Sequence, residues 1–265
     1  MTETVRIIGA GQAGLQVALS LRERGYRGEL TLIGNEPHLP YHRPPLSKRG
    51  LTEAIGPEDL AIRNRAFIEQ QGIELRLGIP VDAIDRQLRM IRFADGAALH
   101  YETLVLATGS VPRRLALSGV ERPDVAMLKD FADLERLRTL LQGAGRAVLI
   151  GGGFVGLELA SSLTRRGVVV TVLEAAPRLL ARVASADLSA HIASAHRAHG
   201  VDVRTGVTVS AVSRAGGRTA VALNSGETIG ADLVLVGLGA AADDRLAAAA
   251  GLRTDRGIQV DAPRR

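Results

Sequence analysis

Two glycine-rich segments of the sequence share a spacing that is suited to binding the diphosphate of a nucleotide. The glycines are Gly9, Gly11 and Gly14 in the first segment, and Gly151, Gly153 and Gly156 in the second. In a G-x-G-x-x-G turn the first glycine bends the chain, the second admits a pyrophosphate, and the third allows close helix–strand packing. One turn alone is weak evidence because glycines also serve packing, but two turns in equivalent contexts predict two nucleotide sites.

A carboxylate after the second glycine turn has the chemistry needed to recognise a ribose. Glu174 ends an apolar run and could accept hydrogen bonds from the ribose hydroxyls of an adenosine, whereas it would repel a 2′-phosphate. This favours NADH over NADPH, although Arg178 and Arg182 follow closely and could offset the preference. The alternative interpretation of Glu174 is a solvated acid at the end of a strand.

The elements that must position these residues are duplicated along the chain. Each copy predicts a strand, the glycine turn, a helix and a second strand. The predicted bounds are 5–8, 15–24 and 29–33 in the first copy, and 147–150, 157–166 and 168–173 in the second. Matching patterns follow at 72–76 and 200–204, and an apolar strand closes each copy at 103–107 and 232–236. The chain is therefore predicted to be α/β, with two Rossmann-like dinucleotide-binding units that carry β-meander insertions.

Composition excludes several other classes of function. The sequence contains no cysteine, which excludes disulfides, thiolate metal sites and cysteine-based reductase chemistry. The formal net charge of +5 comes without a long basic run, so we predict no nucleic-acid binding, whereas a basic surface favours an acidic protein partner. No apolar run reaches the roughly 18 residues needed to span a bilayer and no signal-peptide pattern is present, so we expect no membrane association and a cytoplasmic location.

Two weaker patterns carry no predicted chemistry. His191, His196 and His199 fall on a predicted helix, but their spacing is not that of an i, i+4 zinc pair, and we predict no metal site. No G-x-S-x-G serine elbow occurs in the sequence.

A proline-rich segment follows the first nucleotide-binding pattern. It spans 37–48, ends in Arg-Pro-Pro-Leu-Ser-Lys, and contains the cations Arg43 and Lys48. Proline restricts the backbone, so the segment is predicted to be rigid. A linker or a polyproline ligand is the alternative interpretation. Its position directly after a nucleotide-binding unit favours a loop that lines the ligand.

These segments resemble those of the FAD-dependent, NADH-linked ferredoxin reductases of bacterial oxygenase and cytochrome P450 electron-transfer chains, within the pyridine nucleotide-disulfide oxidoreductase superfamily. The resemblance covers nearly all of the sequence. It rests on 34–48 with its Arg-Pro-Pro-Leu-Ser-Lys ending, on 106–109, and on 151–158. The first of these is much more specific than either glycine turn. The implied fold is the FAD/NAD(P)-binding fold.

The resemblance implies which residues contact each nucleotide. FAD would contact Gly9, Gly11, Ala13, Gly14, Asn35, Glu36, Arg43, Lys48, Val81, Ala107, Thr108, Gly109 and Lys129. NADH would contact Gly151, Gly153, Phe154, Val155, Gly156, Glu158, Glu174, Arg182 and Gly237. Asn35 stands where relatives usually carry an acid and Lys129 where many carry arginine, so both positions keep a polar or cationic group.

The resemblance also implies a catalytic pair. In relatives, the lysine that ends the proline-rich segment pairs with the glutamate after the second glycine turn, close to flavin N5. Here these residues are Lys48 and Glu158. A cation at that place would stabilise reduced flavin, and the acid would orient the lysine. Taken singly, Lys48 would be a solvated lysine and Glu158 an acid favoured by the helix amino terminus.

Domain boundaries follow from the same resemblance. We expect an FAD-binding domain at 1–112 and 240–265 and an NAD-binding domain at 113–239. Relatives continue beyond the point where this sequence ends, with a strand, a Gly-Asp motif whose acid holds the FAD ribityl chain, and an interface domain. We therefore expect an incomplete FAD domain, no C-terminal interface domain, and weak FAD binding by the 265-residue chain.

The implied function is electron transfer from NADH through FAD to a small acidic ferredoxin-type iron–sulfur protein that serves an oxygenase or a cytochrome P450. Two alternatives stay open. The first is another NADH-dependent flavin oxidoreductase that reduces quinone or oxygen or serves as a nitrite reductase component. The second is an inactive truncated nucleotide-binding fragment.

Overall fold

The computed structural model describes residues 3–261, which form two compact units. The first unit comprises Gly56–Val111 and the described parts of Met1–His42 and Ala241–Arg265. The second unit comprises Arg43–Ile55 and Pro112–Ala240. The parts of the expected FAD domain at 1–2 and 262–265 lie outside the described residues.

Both units combine helices with strands. The α-helices are α1 (Gln12–Glu23), α2 (Arg49–Thr52), α3 (Arg65–Gln70), α4 (Phe131–Leu140), α5 (Phe154–Arg165), α6 (Ala186–Ala198) and α7 (Arg245–Ala249). The strands are β1 (Thr4–Ile8), β2 (Glu29–Gly34), β3 (Ile73–Leu77), β4 (Val81–Asp85), β5 (Met90–Phe93), β6 (Ala98–His100), β7 (Thr103–Leu106), β8 (Ser110–Pro112), β9 (Val125–Ala126), β10 (Arg146–Ile150), β11 (Val169–Glu174), β12 (Asp202–Thr205), β13 (Val209–Ala215), β14 (Arg218–Leu223), β15 (Thr228–Ala231), β16 (Leu233–Val236) and β17 (Ala240–Ala242). Short 3-10 helices cover Pro44–Ser47 and Glu58–Leu60.

The first unit is built on a parallel sheet in the order β3-β2-β1-β7. Because side chains alternate across a strand, Ile7 and Leu32 face one side of this sheet and pack with Leu15 of α1. Ile8 and Ile33 face the other side and pack with the antiparallel meander β4-β5-β6. Both faces of the sheet are therefore covered, as in a doubly wound α/β fold.

A row of polar side chains crosses this parallel sheet. Arg6 of β1 is 5% exposed, and its guanidinium donates to Thr31 Oγ1 at 2.5 Å and to Glu29 Oε2 at 2.8 Å. The Thr31 hydroxyl donates in turn to Glu74 Oε2 at 2.8 Å. Arg6, Thr31 and Glu74 are direct neighbours across β1, β2 and β3, so one hydrogen-bonded row crosses three strands. Because the buried arginine is fully partnered, the strand tolerates its charge.

The second unit repeats this plan. Its parallel sheet has the order β12-β11-β10-β16-β9, and the antiparallel meander β13-β14-β15 covers one face. The core between them contains Val148, Ile150, Leu173, Val221, Val234 and Val236, all buried. β1 lies between β2 and β7 as β10 lies between β11 and β16. The predicted α/β class and the duplicated Rossmann-like plan with meander insertions are thus confirmed.

Two details differ from expectation. The glycine-turn helices begin at Gln12 and Phe154, three residues before the predicted starts at 15 and 157, because Gly11 and Gly153 are themselves the N-caps. The third glycine of each turn then lies inside the first helical turn, where its low helix propensity masks the helix in the sequence.

The Arg43–Ile55 segment lies in the second unit, whereas the sequence placed it in the first. The physical reason is a set of hydrogen bonds from the second unit to its backbone. Arg138 of α4 donates to the carbonyls of Gly50, Glu53 and Ile55 at 2.8, 3.1 and 3.0 Å. Arg166, which follows α5, donates to the Leu51 carbonyl at 2.6 Å.

Candidate nucleotide-binding sites

The three glycines of the first turn do not have the same surroundings. Gly9 has φ of +117°, and a Cβ there would lie 2.0 Å from the Ala107 carbonyl oxygen. A Cβ at Gly14 would lie 1.9 Å from the Gly9 carbonyl oxygen. A Cβ at Gly11, by contrast, would meet nothing within 4 Å. Gly9 and Gly14 are therefore required by packing, while Gly11 leaves open space at the start of α1.

The second turn reproduces this geometry. Gly151 has φ of +114°, and a Cβ there would lie 2.4 Å from the Gly237 carbonyl oxygen. A Cβ at Gly156 would lie 2.2 Å from the Gly151 carbonyl oxygen, and a Cβ at Gly153 would meet nothing within 4 Å. The open position is again the second glycine. Gly237, predicted as an NADH contact from the resemblance, is brought against the turn.

Both helix amino termini have the features of a diphosphate site. The N-caps Gly11 and Gly153 are extended and provide no side-chain cap, so no side chain competes for the first-turn amides. Phe154 and Val155, in the first turn of α5, are 62% and 43% exposed. The space beside each second glycine, the free amides and the helix dipole together fit a pyrophosphate.

Glu174 is held at the edge of the second turn. Its carboxylate accepts hydrogen bonds of 2.7 Å from the backbone amides of Gly152 and Ala176. It therefore lies against the glycine turn, where a ribose would meet it. Its role as a ribose ligand stays a prediction.

Two arginines could offset the preference for NADH that Glu174 predicts, and one of them, Arg178, is already hydrogen-bonded within the protein. Its guanidinium donates to the carbonyls of Ala181 and Ala184 at 2.8 and 2.6 Å, and to Ser189 Oγ at 3.0 Å. Arg182 is exposed. A 2′-phosphate would thus have to recruit Arg182, because Arg178 serves the local structure.

Most of the remaining residues predicted to contact FAD in the first unit lie at or near the carboxyl ends of its strands. The Ala107 amide donates to the Ile8 carbonyl at 2.7 Å, and Thr108 Oγ1 donates to the Asp243 carbonyl at 2.5 Å. Asn35 is exposed directly after β2, and Glu36 accepts a hydrogen bond of 2.6 Å from the Tyr41 hydroxyl. The list is completed by Ala13 in the first turn of α1, the exposed Gly109, and Val81 at the start of β4.

Lys48 and Glu158 form the ion pair that the resemblance implies. Lys48 Nζ lies 3.0 Å from Glu158 Oε1, and the two side chains are 51% and 31% exposed. The other carboxylate oxygen, Oε2, accepts a hydrogen bond of 2.5 Å from the Ser47 hydroxyl. The structure therefore brings the predicted catalytic pair together and adds Ser47 to it. The catalytic role of the pair stays a prediction.

Arg43 and Lys129 also meet, and both belong to the second unit. An Arg43 guanidinium nitrogen donates to the Lys129 carbonyl at 2.9 Å, and the Lys129 amide donates to Asp133 Oδ2 at 2.8 Å. Burial and the neighbouring charge of Asp130 raise the pKa of Asp133. These contacts fix the backbone carbonyl and amide of Lys129, so the point from which its side chain extends is also fixed.

Sequence reasoning missed Ser47, Ser162 and Asp133. Ser47 lies inside the specific Arg-Pro-Pro-Leu-Ser-Lys ending, but only the charged lysine beside it was assigned a role. Ser162 follows Glu158 at the i+4 position of α5, a spacing that places both on one helix face and that could have indicated a shared partner. Asp133 is the N3 residue of α4 and forms the capping box with the N-cap residue Asp130.

His191 and His196 lie on α6, and His199 is the residue that caps its carboxyl end. Burial and the positive charge of His199 lower the pKa of His196. Within residues 3–261, no three histidine, aspartate or glutamate side chains are arranged to hold a metal ion. In the same part of the chain, no helix combines the length and the apolar character needed to cross a membrane.

Comparison with known proteins decides the family. Residues 3–265 match the family described as pyridine nucleotide-disulphide oxidoreductase. This chain belongs to that family. The pyridine nucleotide-disulphide oxidoreductases are FAD- and NAD(P)-dependent, which agrees with two diphosphate-compatible turns in one chain.

Three similar proteins illustrate the relationship within the pyridine nucleotide-disulphide oxidoreductases. Rhodocoxin reductase of Rhodococcus erythropolis is 41% identical over 259 residues, which are 97% of this chain and 61% of the relative. The solved ferredoxin reductase for the CYP199A2 system from Rhodopseudomonas palustris is 41% identical, with a TM-score of 0.92 over 97% of this chain and 63% of the other. Putidaredoxin reductase, solved in a covalent complex with putidaredoxin, is 37% identical, with a TM-score of 0.91 over 98% of this chain and 64% of the other. The chain thus spans less than two thirds of each relative.

Proposed function

We propose that this chain binds FAD through its first unit and NADH through its second, and takes part in the NADH-driven reduction of a small iron–sulfur protein. The relatives support the proposal because one is a ferredoxin reductase and another was solved with putidaredoxin. The fit of both glycine turns to a diphosphate supports it independently of those names.

The observation that carries the proposal is the Lys48–Glu158 ion pair. Glu158 projects from the helix that follows the second glycine turn, and Lys48 ends the proline-rich segment. In an ordinary solvated ion pair the carboxylate has no buried partner. The Glu158 carboxylate, by contrast, accepts a hydrogen bond from the buried Ser47. The ion pair therefore has a fixed position in the second unit, on the helix that follows the second glycine turn.

Each candidate residue has a definite task in this proposal. When bound, FAD would accept two electrons from NADH and release them singly to a one-electron acceptor. The amides at Gly11 and Gly153 would bind the two diphosphates, and Glu174 would accept hydrogen bonds from the NADH ribose. Lys48 would supply a positive charge where electron density accumulates, and Glu158 would keep the ammonium group oriented.

The electron acceptor is proposed from charge and from the relatives. The net charge of +5 favours encounter with an acidic protein through long-range steering. A small acidic ferredoxin-type protein satisfies both this charge and the one-electron chemistry. The use of NADH further predicts a cytoplasmic location.

Anaerobic kinetics with added FAD test the proposal. We expect NADH to reduce the bound flavin, and we expect Lys48→Ala and Glu158→Gln to slow this reduction about tenfold or more because each removes a charge-assisted contact. The affinity for NADH should fall by a smaller factor than the rate, because Lys48 is not a predicted NADH contact and Glu158 is assigned to neither the diphosphate nor the ribose. Glu135→Gln, which neutralises an exposed acid on α4, serves as the control and should react as wild type.

The identity of the acceptor is tested by turnover with an acidic ferredoxin, a quinone and oxygen in parallel. A ferredoxin rate well above the other two supports the proposed partner. A quinone or oxygen rate that exceeds it would assign the chain to another class of flavin oxidoreductase. No flavin reduction by NADH at any FAD concentration would refute the proposed function.

A further inference from the structure

Ser47 is held by two separate atoms on one face of α5. It is 4% exposed, and its hydroxyl donates to Glu158 Oε2 at 2.5 Å. Its carbonyl accepts a hydrogen bond of 2.7 Å from the hydroxyl of Ser162, which is 6% exposed. The side chain and the backbone of this residue are thus both fixed away from solvent.

These contacts belong to a row of three polar side chains, which we call the stripe. Glu158, Ser162 and Arg166 follow one another at intervals of four residues, which places their side chains on one side of the helix. Glu158 binds the Ser47 side chain, Ser162 binds the Ser47 carbonyl, and Arg166 binds the Leu51 carbonyl at 2.6 Å. The stripe holds the backbone that carries Lys48 in a fixed register against α5.

The two contacts of the Glu158 carboxylate differ in strength. Its contact with Lys48 is half exposed, and exposed ion pairs contribute little because solvent and salt compete with them. Its contact with Ser47 is short, charge-assisted and buried on the serine side, which makes it the more persistent of the two. On this comparison the serine sets the orientation of the carboxylate, and the other carboxylate oxygen then faces the lysine.

We propose that Ser47 is a positioning residue, whose hydroxyl fixes Glu158 so that the free carboxylate oxygen faces Lys48. The consequence of this for NADH oxidation rests on the proposed function. The geometry of Ser47, Glu158 and Lys48 does not rest on it, and this geometry can be probed on the chain without any nucleotide.

The sequence offers a direct probe, because Lys48 and Lys129 are its two lysines. Acetylation of the cofactor-free chain, followed by mass spectrometry, gives the labelling rate of Lys48 relative to Lys129 in a single sample. In Ser47→Ala the Glu158 carboxylate loses its anchor, so Lys48 should be paired for less of the time and be labelled about threefold faster relative to Lys129. Ser47→Thr keeps a hydroxyl and should restore the wild-type ratio.

A matched control separates this effect from general loosening. Thr219 is 2% exposed, and its hydroxyl also donates to a carboxylate, that of Asp124, within the same unit but in the meander. Thr219→Val should destabilise the unit without changing the Lys48 to Lys129 ratio. An unchanged ratio in folded Ser47→Ala, or an equal rise in Thr219→Val, would overturn the proposal.

Flavin reduction by NADH provides the second readout. Ser47→Ala should slow reduction about threefold to tenfold, less than Glu158→Gln, with NADH affinity unchanged and with Ser47→Thr close to wild type. If Lys48→Ala and Glu158→Gln leave the rate unchanged, the proposed function is wrong, and the labelling ratio still decides the role of Ser47. If those two variants are slow and Ser47→Ala is as fast as wild type, the positioning role is wrong and the proposed function stands.

Discussion

Glu174 accepts a hydrogen bond of 2.7 Å from the backbone amide of Gly152, so the acid that ends β11 is tied to the glycine turn that starts α5. The same carboxylate also binds the Ala176 amide at 2.7 Å. Two amide contacts give this side chain one position, at the edge of the space left open at Gly153. We propose that recognition of a nucleotide at this place depends on the charge at position 174.

Cofactor choice is the first prediction. Glu174→Arg should weaken NADH binding about tenfold and strengthen NADPH binding, because a cation would face the 2′-phosphate in place of an anion. Titration of both nucleotides by fluorescence measures the change. Glu135→Arg introduces the same charge change on the exposed surface and should leave both affinities unaltered. Equal affinity of the wild-type chain for NADH and NADPH would show that Glu174 does not read the ribose.

The glycine turns give a second prediction, in which neighbouring glycines behave differently. Gly153→Ala should fold with near wild-type thermal stability, because its Cβ meets nothing within 4 Å, yet bind NADH at least about tenfold more weakly because that Cβ enters the diphosphate space. Gly156→Ala should unfold at a lower temperature, because its Cβ would collide with the Gly151 carbonyl. Thermal melts and NADH titrations on both variants check this. Normal NADH binding by the Gly153→Ala chain would show that the diphosphate does not bind at this turn.

The third prediction concerns the Arg43–Ile55 segment. Arg138→Ala removes three hydrogen bonds to the segment backbone, so the segment should open more often and trypsin should cut after Lys48 or Arg49 about tenfold faster. Arg136→Ala, on the same helix, removes hydrogen bonds to the carbonyls of Pro123 and Val125 instead, and should leave that cleavage rate unchanged. Similar rates in the two variants would mean that Arg138 does not hold the segment.

Acid stability of the first unit is the fourth prediction. Burial acts to raise the pKa of Glu74, but hydrogen bonds from Arg76 and Thr31 and the charges of Arg76 and Arg6 outweigh it, so the pKa lies below its ordinary value of 4.5. The unfolded chain therefore binds more protons than the folded chain as the pH falls below 4.5. The stabilisation from ionised Glu74 should be complete above that pH and lost as the pH drops through the folded pKa.

Urea unfolding of wild type and Glu74→Gln, from about pH 7 to about pH 3, measures this contribution. The difference in unfolding free energy between the two chains should be largest at neutral pH and should shrink on the acid side. A difference that stays constant over the whole range would contradict the assignment to Glu74.

The sequence predicted the duplicated plan well because hydrophobic periodicity and glycine spacing are local signals. Strands and glycine turns follow from patterns of a few residues, and the ion pair of Lys48 and Glu158 followed from the resemblance. The placement of Arg43–Ile55 did not follow, because it depends on Arg138 and Arg166, which are distant in sequence and bind backbone carbonyls. Backbone acceptors have no sequence signature. Ser47 was missed for a related reason, since a serine gains its role only from the helix face that meets it.

We propose that this chain passes electrons from NADH to a flavin bound in the same molecule, and the absorption spectrum of the flavin reports that step. The 265-residue chain is mixed anaerobically with excess FAD and exposed to NADH, with free FAD treated in the same way as the control. We predict that the flavin absorption bands fade faster with the chain than without it, fade more slowly with NADPH, and return when an oxidised iron–sulfur protein is added. Flavin bands that fade no faster with the chain than those of free FAD would contradict this proposal.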